Sequence, residues 1–148
     1  MSGWTKTERG AQLVEMAILT PFLVLVLLGS TDFARVAYHA ITLANAARAG
    51  AQFATFSSAA ALNTAGIKAA ADLEAENLGA ITVTSNLYCR CPTTTAVVSC
   101  TVGLCTGTNA TKELYIDVTA SRTFTTLVTW PGVPSPIALS RTATMRVQ

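Results

Sequence analysis

Residues 16–31 carry no charge, and within them Phe22-Leu23-Val24-Leu25-Val26-Leu27-Leu28 is wholly apolar. A bilayer crossing takes about 20 apolar residues at 1.5 Å each. The run reaches that length when residues 11–15 are counted, which sets Glu15 near the membrane boundary. Beyond it a helical period takes over. Asp32, Arg35, His39, Thr42, Asn45, Arg48 and Gln52 recur at steps of three and four as a polar stripe. Phe33, Val36, Ala37, Ala40, Ile41, Ala44, Ala47 and Ala51 form an opposite face of mostly small residues. No turn signal interrupts residues 21–56, so together with the residues from 11 that complete the apolar run the pattern predicts one helix of about 45 residues, roughly 65 Å long. A chain of 148 residues cannot bury such a helix. Its first half must sit in lipid or in a filament core.

A Ser/Ala stretch at 57–61 breaks the period. Asn63 or Thr64 then caps a second helix to about Leu78, with Asp72, Glu74 and Glu76 as a solvated face and Gly79 ending it. Ile81-Thr82-Val83-Thr84 alternates like a strand, as do residues 114–126 and, less cleanly, 139–147. Trp130-Pro131-Gly132-Val133-Pro134-Ser135-Pro136 reads as a turn-rich connection. The fold class is therefore α+β. A long N-terminal helix, half transmembrane and half amphipathic, packs on a small antiparallel sheet, and there are no internal repeats.

Composition sharpens this division. Of 25 alanines, 20 fall in the first 80 residues, and 16 of 23 threonines fall in the last 68. Helix should thus come first and sheet afterwards. Hydrophobic residues make up 51% and charged residues 12%, about half the roughly 25% charged content usual in soluble proteins. Mean hydropathy is +0.45. That balance excludes a disordered polyampholyte. A net charge of +2 offers no basic patch for nucleic acid. Lys6, Glu8 and Arg9 precede the apolar run, whereas Asp32 and Arg35 balance its far side, so the N-terminus is expected in the cytoplasm and the bulk of the chain outside it. Ordinary signal cleavage fits less well. Glu15 and Pro21 are poor in a signal core, and the best small-residue site, Gly29-Ser30-Thr31, ends in Thr.

Cys89, Cys91, Cys100 and Cys105 lie in one Thr-rich segment. Outside the cytoplasm they read as two disulfides closing a loop at 89–105. Because Cys89 and Cys91 are too close in sequence to pair, two connectivities remain. One is Cys89–Cys100 with Cys91–Cys105; the other is Cys89–Cys105 with Cys91–Cys100. A four-thiolate metal site is the competing reading, but the spacing C-x-C-x8-C-x4-C lacks the usual knuckles and needs a reducing compartment. No metal or other cofactor is expected.

Catalytic chemistry is poorly supplied. His39, the single histidine, falls on the polar stripe as a solvated or partner-facing residue. There is no Gly-rich phosphate loop and no G-x-S-x-G, so no enzyme is expected. Asn109-Ala110-Thr111 matches a glycosylation triplet of a kind that recurs by chance. The distinctive site is Gly10 followed by Ala11-Gln12-Leu13-Val14-Glu15. An ionised carboxylate at the mouth of an apolar helix is costly unless paired. Cleavage after Gly10 would free an ammonium on Ala11 that could pair with Glu15 of the same or a neighbouring subunit. The plainer alternative is that Glu15 snorkels to the headgroups.

Glu8-Arg9-Gly10-Ala11-Gln12-Leu13-Val14-Glu15-Met16-Ala17, followed by Pro21 and the apolar run, resembles the N-terminus of TadE-like proteins. These are pseudopilins of the bacterial tight-adherence (Flp) pilus system. The similarity continues through Asp32-Phe33-Ala34-Arg35 and Ala46-Ala47-Arg48-Ala49-Gly50-Ala51. It returns weakly in Ile116-Asp117-Val118 and Thr142-Ala143-Thr144-Met145-Arg146-Val147. The cysteine segment is not covered.

The resemblance implies a type IV pilin-like fold with a cytoplasmic leader at 1–10, a transmembrane helix at 11–31 and an extracytoplasmic domain at 32–148. It implies insertion in the inner membrane, cleavage of Gly10–Ala11 by a prepilin peptidase, and a role for Glu15 in assembly. Other pilin-like subunits, the Tad assembly machinery and membrane lipid are the implied partners, with surface attachment and biofilm formation as the end. The main pilin of that system has Tyr directly after the Glu. Met16 stands there here, which fits a minor subunit. Two other classes compete. An uncleaved single-pass scaffold would keep Met1 or Ser2 as its N-terminus, and a secreted disulfide-stapled adhesin would begin beyond Leu28.

Overall fold

The structure, a computed structural model, describes residues 5–92, 96–100, 104–105 and 110–148, with residues 5–9 described by backbone alone. Met1, Ser2, the side chains of Lys6, Glu8 and Arg9, and Asn109 lie outside the described residues.

The first helix, α1, spans Thr5–Thr55 and contains Pro21. Every residue from Gly10 through Leu27 is exposed. Hydroxyls along this apolar stretch find acceptors on their own helix. Thr20 Oγ1 donates to the Met16 carbonyl at 2.6 Å. Ser30 Oγ and Thr31 Oγ1 both donate to the Leu27 carbonyl, at 2.9 and 2.8 Å. None of the three requires water, which suits a segment surrounded by lipid.

Beyond residue 28 the helix turns one face to the rest of the protein. Leu43, Ala46, Ala47, Ala51 and Ala54 are fully buried. The sequence-derived stripe is only half correct. Asn45, Arg48 and Gln52 are exposed as expected, but Asp32 is buried and His39 half-buried, while Phe33 and Ile41 from the supposed inner face are exposed. The cause is geometric. From Asp32 to Gln52 steps of three outnumber steps of four, so at 3.6 residues per turn the stripe drifts about 160° around the helix. Its lower end therefore faces inward and its upper end faces solvent.

The Ser/Ala stretch is not a simple break. Ser57 Oγ accepts the Ala60 amide at 3.1 Å and caps α2, Ser58–Leu62. Asn63 Oδ1 accepts the Gly66 amide at 2.9 Å and caps α3, Thr64–Glu74. A 3-10 turn, Glu76–Leu78, follows. Gly79 ends it at φ 73°, a backbone conformation open to glycine at little cost. Helix α3 lies close against α1. A Cβ at Gly50 would stand 3.1 Å from Val118 Cγ1 and 3.2 Å from the Ile67 carbonyl, so this approach depends on the absence of a side chain there.

The sheet comprises β1 (Thr82–Arg90), β2 (Val97–Val98), β3 (Glu113–Phe124) and β4 (Ile137–Arg146). Its order is β2-β1-β3-β4, with every pairing antiparallel. Strand β1 outruns the expected 81–84 because β3 continues to pair with it from Thr82↔Ser121 to Arg90↔Glu113. The two-residue β2 was not anticipated. Ile116, Val118 and Ala120 of β3 are fully buried beneath the helices. The other face carries hydroxyl rungs, including a 2.8 Å hydrogen bond between Thr119 and Thr142. This one-sided burial is what the period-two alternation reflects. The core forms two clusters. One gathers Leu43, Leu78 and Phe124 and the other Ile67, Ile116 and Val118.

Candidate functional site

The residues that carry the candidate chemistry occupy two separate stretches of α1. Gly10, Ala11 and Glu15 are all exposed and far from the sheet in sequence and packing. Ala11 and Glu15 are four residues apart, so they share one helix face one turn from each other. Among the described residues α1 is the one helix long and apolar enough to cross a membrane, and the apolar window within it is entirely unburied. An exposed surface of this kind on a folded body calls for a lipid or protein environment.

The second stretch is where α1 meets the rest of the fold. Asp32 is 4% exposed, and its carboxylate gathers donors from the connection between β3 and β4. The Leu127 amide donates to both oxygens, at 3.0 and 3.1 Å. Trp130 Nε1–H donates to Oδ2 at 3.1 Å, and Arg35 Nη1 to Oδ1 at 3.1 Å. The Leu127 amide, above all, holds the Asp32 carboxyl below its ordinary range. It does so against burial, with help from the Trp130 indole, the Val128 amide and Arg35. Phe124, at the end of β3, closes the site. The Arg35 guanidinium lies 5.0 Å from its ring centre, and the His39 ring meets it edge-on at 5.1 Å. Burial pushes the His39 pKa down, and the Arg122 and Arg35 charges add to that.

The sequence placed Asp32 and His39 on a solvated stripe and did not single out Leu127 or Trp130. One signal was available. From residue 123 to 140 the chain has no charge, yet it holds a tryptophan in a Pro/Gly turn. A buried acid requires donors, and a turn with free amides and an indole N–H supplies them.

At the opposite end of the sheet the cysteines form two disulfides, Cys89–Cys100 and Cys91–Cys105, with Cα separations of 5.2 and 5.8 Å. The thiols are therefore consumed in bridges, and the four-thiolate alternative falls. Lys112 Nζ donates to the Ser99 carbonyl at 2.9 Å, and the Cys105 amide to the Ala110 carbonyl at 3.0 Å. Among the described residues, no group of three His, Cys, Asp or Glu side chains could hold a metal ion.

Residues 10–52 match the family model described as TadE-like protein. The match supports a TadE-like protein and spans the exposed apolar helix and its buried continuation, including Asp32, but not the sheet or the cysteines. No curated protein and no solved structure matches the chain.

Proposed function

We propose that this chain is a minor pilin-like subunit of a tight-adherence pilus. Residues 1–10 form a cytoplasmic leader, 11–31 cross the inner membrane, and 32–148 form the outer domain. The observation that carries the reading is the unburied apolar half of α1, projecting from a folded α+β body within the segment that matches TadE-like proteins. Two disulfides suit an oxidising location outside the cytoplasm.

The chemistry runs through the N-terminus. A prepilin peptidase cuts Gly10–Ala11. The helix runs through this bond, so the backbone must open locally for cleavage. Glycine eases that, with a helix propensity about 1 kcal/mol worse than alanine. The new Ala11 ammonium then lies one turn from Glu15, or pairs with the Glu15 of a neighbour. Desolvated charges favour matched over mismatched partners as the subunit leaves lipid for a helical bundle. Exposed Phe33, Tyr38 and Ile41 extend the docking face into the outer domain.

N-terminal sequencing of the protein from its natural membrane tests this reading. Ala11 is expected. Met1 or Ser2 would instead establish an uncleaved scaffold, and a residue beyond Leu28 a secreted adhesin. Gly10→Leu should abolish the size shift of maturation. Glu15→Ala should spare that shift and reduce piliation seen by electron microscopy.

A further inference from the structure

We propose that the connection between β3 and β4, residues 125–136, is a second membrane contact, a foot that seats the outer domain on the bilayer surface beside the emerging helix. The proposal rests on the membrane reading above, and its argument is one of depth. Two atoms of the Trp130 ring lie 3.6 and 3.7 Å from where a side chain at Gly29 would begin. Gly29 belongs to the last turn of the apolar segment. Along a helix Gly29 and Asp32 differ in height by about 4.5 Å, and the Leu127 amide is fixed to Asp32. If 11–31 cross the membrane, Trp130 and Leu127 lie at the level where hydrocarbon gives way to headgroups.

The surface suits that level. No charge occurs between Arg122 and Arg141. Leu127, Val133 and, from the helix, Phe33 are exposed at 57%, 45% and 76%. Phe33 and Val133 also line a cavity of about 270 Å³, together with Gly29, Val36, Trp130 and Ile137 and with Asp32 and Thr126 at its polar edge. Tryptophan is enriched at membrane interfaces because its ring is apolar and its N–H polar. Here that N–H is satisfied by Asp32, so the ring can enter an apolar layer without losing a hydrogen bond. The Asp32 carboxylate at this depth is equally satisfied, which removes the main cost of placing it beside lipid. Arg35, next to it, has 38% of its side chain exposed and can reach the phosphate layer. The occupant is the phospholipid leaflet that the helix crosses, with acyl segments filling the cavity.

The test uses the full uncleaved chain in phosphatidylcholine–phosphatidylglycerol vesicles. The chain has two tryptophans, so Trp4→Phe leaves Trp130 as the sole reporter. Lipids brominated near the glycerol end of their chains should quench Trp130 strongly, and lipids brominated near the chain ends should quench it weakly. Leu127→Asp with Val133→Asp, both at exposed positions, should lower the shallow quenching while leaving the far-ultraviolet spectrum unchanged. A parallel reporter, Leu23→Trp in a Trp4→Phe/Trp130→Phe background, should be quenched by the deep label. Quenching at Leu23→Trp without quenching at Trp130 overturns the foot and leaves the membrane reading standing. Loss of quenching at Leu23→Trp overturns both. Trp130 protection that grows with protein concentration at fixed lipid, without bromine quenching, assigns the face to a second copy and likewise overturns the proposal.

Discussion

The two ends of the sheet are held by opposite means. At one end the connection 125–136 has no disulfide and is fixed by hydrogen bonds to one carboxylate on α1. At the other, the longer connection between β1 and β3 is closed on itself by Cys89–Cys100 and Cys91–Cys105. Both segments are poor in charge. The first lies beside the helix and can borrow its donors' partner from there. The second is tied to itself and to β1 by two covalent bonds, which hold a loop without a packed core around it.

The largest break in this comparison is chemical. Replacing Cys91 and Cys105 by Ser should lower stability by about 3 kcal/mol, the amount expected for a closed loop of this length. Urea unfolding followed by circular dichroism reads the change. Cys100 is exposed, whereas Cys91 and Cys105 are both buried. Mild reductant with mass-spectrometric alkylation should therefore open Cys89–Cys100 first.

Asp32→Ala should come next. It strands the Leu127 amide and the Trp130 indole, and the melting temperature should fall by several degrees. Trp130 emission in a Trp4→Phe background should shift to the red, while the order of disulfide reduction stays unchanged. A coupled response at the cysteines would show that the two ends are not independent.

Acidification weakens the Asp32 end without mutation, because both groups that titrate in acid with a shifted pKa lie on that side, around Arg35 and Phe124. His39 has a folded pKa below its ordinary 6.5, and Asp32 one below its ordinary 3.8. In both cases the unfolded chain binds the proton more tightly, so stability falls as pH falls. The His39 contribution is present above pH 6.5 and drains away as the pH drops from there toward its folded value. That of Asp32 is present above 3.8 and is lost below it. Denaturant titrations across pH should thus show two successive losses. His39→Gln should remove the upper one and Asp32→Asn the lower. The smallest effect belongs to neither end. Lys68→Ala breaks an exposed Lys68–Asp72 pair and should cost only about 0.3–0.5 kcal/mol in the same titration.

Much of the architecture was legible in local pattern. An uncharged run, uninterrupted helical period and alternation near residues 114–126 led to α1 and β3, because burial on one face leaves a period in the chain. The Gly10–Glu15 spacing was equally legible. It is a sequence motif, and its exposure leaves it as available in the fold as in the text. The Asp32 site was not legible. Its donors lie 95 and 98 residues away, and helical period alone pairs Asp32 with Arg35 as a flanking charge. The length of β1 was hidden for a related reason. Residues 85–90 become a strand because β3 extends beside them, whatever their own propensity.

By itself, then, the sequence determined the long helix, its membrane-compatible run, the central strand β3 and where the cysteines cluster. These follow from composition and spacing within a few turns of chain. Tertiary structure decided which face of α1 turns inward, which cysteines pair and which donors satisfy the Asp32 carboxylate. Each of those depends on groups brought together from distant positions. A helix that drifts through about 160° of its own circumference acquires an inside only when the sheet and the Trp130 connection are set against it.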